Sequence, residues 1–316
     1  MTHIPSRARI YFAFGLVYVF WGSTYLAIAV AVQHFPAAMM TGLRFCVAGP
    51  LMLAWCALSG RRLRITRYEF GRLLAISLLL LTGGNMVLAW TEKTIPSGLA
   101  SLFVAGVPIY IAIIEGFILK GDRVQGRGWW GILLGTVGLL TLLWPKLEDP
   151  SQLGRMQLLA CLAVIGGSIS WSAGSILSRR SEITVDPVVA TGWEMTFAGV
   201  VNIALAGVFG DFRLTDWSVR GLGAIAYLVV FGSWVGFTAY IWLLEHVPTP
   251  KVATYAYVNP IVAVFLGVVI LHERLDKFAV IGMVVIVAAV ALVTSSKLRT
   301  GEDAAESELV ACESEG

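Results

Sequence analysis

The sequence predicts an all-α polytopic membrane protein, with ten transmembrane helices in two inverted five-helix repeats. Three observations carry that expectation. Of the 316 residues, 57% are hydrophobic and 14% are charged, and the mean hydropathy is +0.79. A soluble protein carries about 25% charged residues. The polar surface a water-soluble fold needs is therefore missing. This excludes soluble dehydrogenases, kinases and nucleic-acid binders and makes the lipid bilayer the solvent. Second, the apolar residues gather into ten segments, each near the ~20 residues that span a bilayer. Third, the first half of the chain returns in the second half.

The segments run 10–32, 36–58, 70–90, 96–118, 127–144, 156–177, 187–209, 219–243, 248–271 and 277–296. The first is too long for the apolar core of a cleavable signal and reads as a retained helix. Short, polar connections separate most of the others. Residues 297–316 are polar, and Glu302, Asp303, Glu306, Glu308, Glu313 and Glu315 face no base after Arg299, so this tail is expected to be disordered. With an N-terminus in the cytoplasm, inside segments hold 15 Lys and Arg and outside segments 7, Arg44 lying between them. Positive residues favour the cytoplasm, so both termini are expected there.

The repeat is visible residue by residue. Trp21, Thr41-Gly42-Leu43-Arg44 and Ala48-Gly49 return as Trp171, Thr191-Gly192-Trp193-Glu194 and Ala198-Gly199. Pro96 and Pro108 return as Pro248 and Pro260, and Asp122-Arg123 as Glu273-Arg274. Residues 1–144 and 156–296 are thus two units of five helices. Five is odd, so the second unit enters the membrane from the opposite side. That arrangement is used by secondary transporters for alternating access.

Several motifs carry a resemblance. Trp21-Gly22-Ser23-Thr24-Tyr25, Pro96-Ser97-Gly98-Leu99-Ala100, Tyr255-Ala256-Tyr257-Val258-Asn259-Pro260 and His272-Glu273-Arg274-Leu275 resemble the EamA-type exporters of the drug/metabolite transporter superfamily. The resemblance covers roughly residues 10–296, as two EamA units. It implies ten helices around a central cavity and export of small metabolites or drugs across an inner membrane. One departure is Gly121-Asp122-Arg123, where the second unit has His272-Glu273-Arg274.

Arg44 and Glu194 stand in the middle of apolar segments at equivalent repeat positions. A charge at mid-bilayer costs about 2.5–3.5 kcal/mol and survives by facing a partner or a cavity. They are expected to contact substrate or to pair with one another across the halves. Lys251, Tyr255 and Asn259 are spaced i, i+4, i+8 and are expected on one helix face, whereas their repeat mates Leu99, Phe103 and Val107 are apolar. A polar stripe in one half alone suits a substrate site. Asn85 and Glu92 share a face of the third segment, after Gly83-Gly84, and Glu92 is expected to be solvated at its outer end. Trp21 and Tyr25 share a face of the first segment and, with Trp171, read as cavity lining or as packing. Glu115 is expected to snorkel or pair near Lys120. Pro96 and Pro248 open their segments and Pro108 and Pro260 are expected to interrupt theirs, and all four are expected to serve gating, the alternative being fixed packing kinks.

Gly126-Arg127-Gly128-Trp129-Trp130-Gly131 matches a dinucleotide-binding pattern but follows no strand, so that reading fails. Cys46, Cys56, Cys161 and Cys312 show no ligand spacing, so no metal and no cofactor are expected. No ATP-binding loop occurs. The expected function is a secondary transporter for amino-acid-like or amphipathic solutes, with a proton, exchange or no ion as its coupling. A channel and a membrane-embedded enzyme are the rivals.

Overall fold

A computed structural model describes residues 6–95, 100, 103–115, 119, 123–124, 126–147, 155–271, 277–295 and 298–299. Each predicted segment holds helix. In chain order these are α1 (Arg7–Ala31), α2 (Ala37–Leu58), α3 (Arg67–Glu92), α4 (Val107–Ile113), α5 (Gly126–Leu147), α6 (Arg155–Arg180), α7 (Pro187–Phe209), α8 (Val219–His246), α9 (Tyr255–Leu271) and α10 (Lys277–Ser295). Among the described residues, α1, α2, α3, α6, α7 and α8 are long and apolar enough to cross a membrane. In this all-α fold a two-residue ladder pairs Arg123–Val124 with Leu298–Arg299.

Local chemistry sets the helix ends. Ser6 accepts from the Arg9 amide at α1. Thr66 and Glu69 form a reciprocal capping box at α3. Asp186 caps α7 ahead of Pro187, and Ser218 caps α8. Gly210, at φ +74°, ends α7 in the left-handed conformation that favours glycine.

Glycines set the helix crossings. A Cβ on Gly49 would lie 2.5 Å from the Thr196 amide nitrogen, and one on Gly199 would lie 2.5 Å from that of Cys46. Gly42 meets Ile203 and Gly192 meets Leu53. Numbers rise along α2 as they fall along α7, so these equivalent helices cross antiparallel with backbones nearly touching. Without a hydrophobic force between helices in lipid, such close approach supplies the packing energy. The helices α5 and α10 repeat the device: Gly131 meets Val293 and Gly138 meets Ile286. Around this frame, α6 packs on α3 and α4, as α1 packs on α8 and α9.

Both α3 and α8 change to π-helix midway, over Leu78–Met86 and Leu228–Phe237. These stretches occupy the same place in each repeat. Widening a helix displaces carbonyls from their usual partners, and at membrane depth those groups need others. Ser170 Oγ donates to the Leu79 carbonyl at 2.8 Å, and Trp21 Nε1 donates to the Gly232 carbonyl at 3.1 Å.

Loops at the two ends are clasped at matching repeat positions. On one face, Thr184 gives its amide and hydroxyl to Glu69 Oε1 at 2.9 and 2.8 Å, while Glu69 Oε2 accepts from the Thr66 amide at 2.7 Å. Arg61 and Asp186 form a 2.6 Å ion pair beside them. On the other face, the Asp216 amide donates to the His34 carbonyl at 2.8 Å, and the two side chains meet at 2.8 Å.

Candidate functional site

A cavity opens between α1, α2, α3, α4, α6, α8 and α9. Seven of the nine sequence-selected lining candidates lie on its wall: Trp21, Tyr25, Arg44, Asn85, Trp171, Tyr255 and Asn259. The rest of the lining is largely apolar, with Ile28, Leu81, Leu88, Val104, Val107 and Val164 prominent. An apolar wall with a few convergent polar groups is the usual form of a small-molecule site. From α1 the lining residues are Trp21 to Ile28, and from α6 they are Val164 to Trp171. The α6 residues are mid-helix, but Trp21 to Ile28 on α1, and Arg44 and Phe45 on α2, lie in the halves of those helices that lead to the His34–Asp216 face, so the cavity points that way.

Aromatic rings close its opposite end. Trp21 lies 5.4 Å from Trp171, 4.8 Å from Tyr240 and 5.0 Å from Tyr255, centroid to centroid. Tyr240 lies 5.5 Å from both Trp171 and Tyr255. Hydrogen bonds hold this floor. Trp171 Nε1 donates to the Tyr240 hydroxyl at 3.1 Å, and Ser175 Oγ bonds the same hydroxyl at 2.5 Å. Below the floor, Tyr18 and Thr254 meet at 2.9 Å.

Arg44 is 4% exposed and turns its guanidinium to the cavity wall. Its Nε donates to Ser233 Oγ at 2.8 Å, and its Nη1 donates to Asn85 Oδ1 at 3.4 Å. Gly232 leaves room for it, because a Cβ there would sit 2.7 Å from Nη2. Among the described residues no carboxylate lies within ion-pair distance of Arg44.

The expected Arg44–Glu194 pair is therefore corrected. The antiparallel crossing of α2 and α7 is centred between Cys46 and Gly49 and between Thr196 and Gly199. Arg44 and Glu194 lie on opposite sides of that centre, about seven residues apart along the axis. At 1.5 Å per residue this separates them by about 10 Å. Glu194 is 1% exposed, and its Oε2 has no hydrogen-bond partner. It does not line the cavity.

The single polar face of Lys251, Tyr255 and Asn259 is corrected too. A one-turn helix, Thr249–Val252, ends in a turn at Ala253–Thr254 before α9 begins. Lys251 stays half-buried on the short helix, outside the cavity lining, while Tyr255 and Asn259 face inward. Asn259 Oδ1 is buried without a partner, beside the Tyr25 hydroxyl. Glu92, expected in solvent, keeps both carboxylate oxygens buried and unpartnered, one turn beyond Leu88 of the cavity wall. Glu115 is 1% exposed and accepts from Thr249 Oγ1 at 3.5 Å.

Of the prolines, Pro96 lies outside the described residues. The helix of this segment breaks at a turn, Ala105–Gly106, between helical Phe103–Val104 and α4, and Pro108 lies just after the break in the first turn of α4, where a missing amide hydrogen costs nothing. Pro248 caps the one-turn helix, and α9 runs through Pro260 without the expected interruption. Sequence reasoning missed Ser233, Thr24 and Ser168. Ser233 is the repeat mate of Gly83, so a polar residue at a glycine position of the first unit was the available signal.

Comparison with known proteins agrees with the architecture. The model of the EamA-like transporter family matches residues 8–144 and again 158–295. The uncharacterized inner membrane transporter YedA of Escherichia coli strain K12 is 36% identical over 281 residues, covering 89% of each chain. The uncharacterized transporter YoaV of Bacillus subtilis is 21% identical, over 85% of this chain and 91% of its own. The chloroplastic WAT1-related protein At3g02690 of Arabidopsis thaliana is 24% identical, over 87% and 67%. A protein of known crystal structure superposes with a TM-score of 0.74 at 20% identity, over 92% of this chain and 97% of that one, which speaks to fold alone. The protein is a multi-pass membrane transporter and not an enzyme, and the chain belongs to the EamA-like transporter family.

Proposed function

We propose that the protein exports small carboxylate-bearing solutes of amino-acid type across the inner membrane by alternating access, with a proton as coupling ion. The two five-helix units, 1–144 and 156–296, would be inverted relative to one another. The antiparallel crossings of equivalent helices α2 with α7 and α5 with α10 support that relation. With both termini cytoplasmic, the cavity faces outward and the aromatic floor blocks the cytoplasmic side. A blocked cavity suits a carrier better than a channel. Trp21, Tyr25, Tyr255 and Asn259 would contact the solute, and Pro248 and Pro260 would lie where the α9 segment bends between states.

One observation carries the substrate class. Arg44 is a buried cation on the cavity wall, and its held side chain faces no carboxylate of the described protein. Arginine offers a planar fork that fits a carboxylate with two hydrogen bonds. A solute carboxylate would supply the missing counter-charge.

The test is efflux from proteoliposomes loaded with an equimolar mixture of proteinogenic amino acids and their carboxamides, followed by mass spectrometry. The carboxylates are expected to leave and the carboxamides to remain. Arg44→Gln removes a charged hydrogen bond, worth about 1.5–3 kcal/mol. That raises KM for the carboxylates roughly 10–100-fold. Equal efflux of acids and amides, or an unchanged KM in Arg44→Gln, would refute the assignment.

A further inference from the structure

Beneath the floor, a buried acid stands without a base. Glu194 is held on α7 against α2, α3 and α8. Its backbone carbonyl accepts from Ser77 Oγ at 2.7 Å, so α3 serves its main chain and leaves its carboxyl alone. The charged and titratable groups nearest it offer no counter-cation. From α8 they are Tyr240 and Glu245, both close enough to interact electrostatically with it. From α3, Glu69 is occupied by Thr66 and Thr184. From α2, Arg44 lies at the other end of the crossing, held by Ser233 and Asn85. Glu194 Oε2 is buried with no partner. An ionised carboxylate desolvated in this way, with no cation, is strongly unfavourable, and the neutral acid removes the cost.

We propose that Glu194 is the proton-binding carboxyl of the transport cycle and that Tyr240 links its charge state to the aromatic floor of the cavity. This rests on the reading of the protein as a solute exporter and adds the site of its coupling ion. With the cavity open toward the His34–Asp216 face, Glu194 holds a proton. Opening toward the Arg61–Asp186 face would hydrate it and release that proton to water. Glu245, exposed at the end of α8 on this face, is the acid placed to pass it on. One O–H bond breaks at Glu194, one forms on water or Glu245, and no other bond changes. Tyr240, which bonds Trp171 and Ser175, is close enough to Glu194 to feel the new negative charge. Moving Tyr240 would shift Trp21, Trp171 and Tyr255, which it packs against.

Two measurements test the proposal. The first needs no substrate. Infrared difference spectra of the purified protein across a pH titration are expected to show the carbonyl bands of buried carboxylic acids, Glu92 among them, including one band that Glu92→Gln keeps and Glu194→Gln loses. Persistence of that band in Glu194→Gln, or its absence from the wild type, overturns the proposal. The second uses proteoliposomes with trapped pyranine and the amino-acid mixture. In the wild type, proton entry is expected to accompany amino-acid release. In Glu194→Gln the proton signal is expected to be lost while amino-acid exchange continues. Tyr240→Phe, which removes the hydroxyl that Trp171 and Ser175 bond, is expected to change the exchange rate and to flatten its dependence on pH; a wild-type pH profile in this variant overturns the link through Tyr240. Proton entry in Glu194→Gln matching the wild type overturns the assignment. Wild-type protein that moves no amino acid refutes the export reading instead, and the infrared result then decides on Glu194 alone.

Discussion

The crossing of α2 and α7 makes a quantitative demand on two glycines. Adding a methyl group at Gly199 would bring a Cβ within 2.5 Å of the Cys46 amide nitrogen, 2.8 Å of the Phe45 carbonyl carbon and 2.9 Å of the Cys46 Cα. All three atoms are backbone, so no side chain can swing away, and α2 itself must move. Overpacking of this kind costs about 1–3 kcal/mol. Against it, alanine is a better helix former than glycine by about 0.5–1 kcal/mol. Gly199→Ala is therefore expected to destabilise the protein by up to about 2 kcal/mol after that offset. Gly49→Ala meets the Thr196 backbone in the same way and is expected to cost a similar amount. Gly166, on α6, is the control: a Cβ there has nothing within 4 Å. Gly166→Ala is expected to be neutral or stabilising. The double variant Gly49→Ala with Gly199→Ala is expected to cost less than the two singles together, because the first methyl group already separates the helices. Thermal unfolding of the purified protein in one detergent, followed by tryptophan fluorescence, ranks the four variants. Equal stability of Gly199→Ala and Gly166→Ala would refute the claim that backbone contact sets this crossing.

The clasp at the Arg61–Asp186 face is testable as well. Glu69→Ala strips acceptors from the Thr66 amide and from both Thr184 donors and is expected to cost about 1–3 kcal/mol, whereas the half-exposed Arg61→Ala is expected to cost under about 1 kcal/mol; thermal unfolding of both variants checks the contrast. Orientation is checked by single-cysteine labelling in intact cells. A cysteine in the 59–66 loop is expected to stay unlabelled by an impermeant reagent, and one in the 210–218 loop to react; the reverse pattern would invert the cavity's proposed direction.

The elements were legible because the bilayer leaves so few alternatives. Every backbone polar group must be satisfied within the membrane, so a long apolar run such as Pro187–Phe209 is a helix whatever its neighbours are. Most of the cavity wall was legible for a related reason. Arg44, Asn85 and Asn259 are polar where polarity is costly, so a protected site had to hold them. What was not legible depends on backbone detail. The turn at Ala253–Thr254 shifts Lys251 away from Tyr255 and Asn259, and nothing in an i, i+4, i+8 spacing reveals a broken helix. The paired π-helical stretches of α3 and α8 likewise leave no periodic trace, yet they carry Asn85 and Ser233 to Arg44. Glu92 reads as a helix-end acid that water would solvate, and only the packing around α3 reveals its buried oxygens.

The fate of the Arg44–Glu194 pair follows from symmetry alone. A repeat that places equivalent helices antiparallel sends equivalent residues to opposite sides of the crossing point. They meet only if they sit at the centre, as the glycines do. Three or four residues away from it, opposite charges at matching positions are held apart by the same axis that makes them equivalent. The arrangement leaves a cation on the cavity side and an acid beneath the floor, each without its natural partner among the described residues. A cation and an acid held apart are more useful to a coupled carrier than one internal ion pair, because each can bind a different ligand. In the proposed cycle a solute carboxylate satisfies Arg44 and a proton satisfies Glu194. The aromatic floor between them gives the two binding events a common mechanical element.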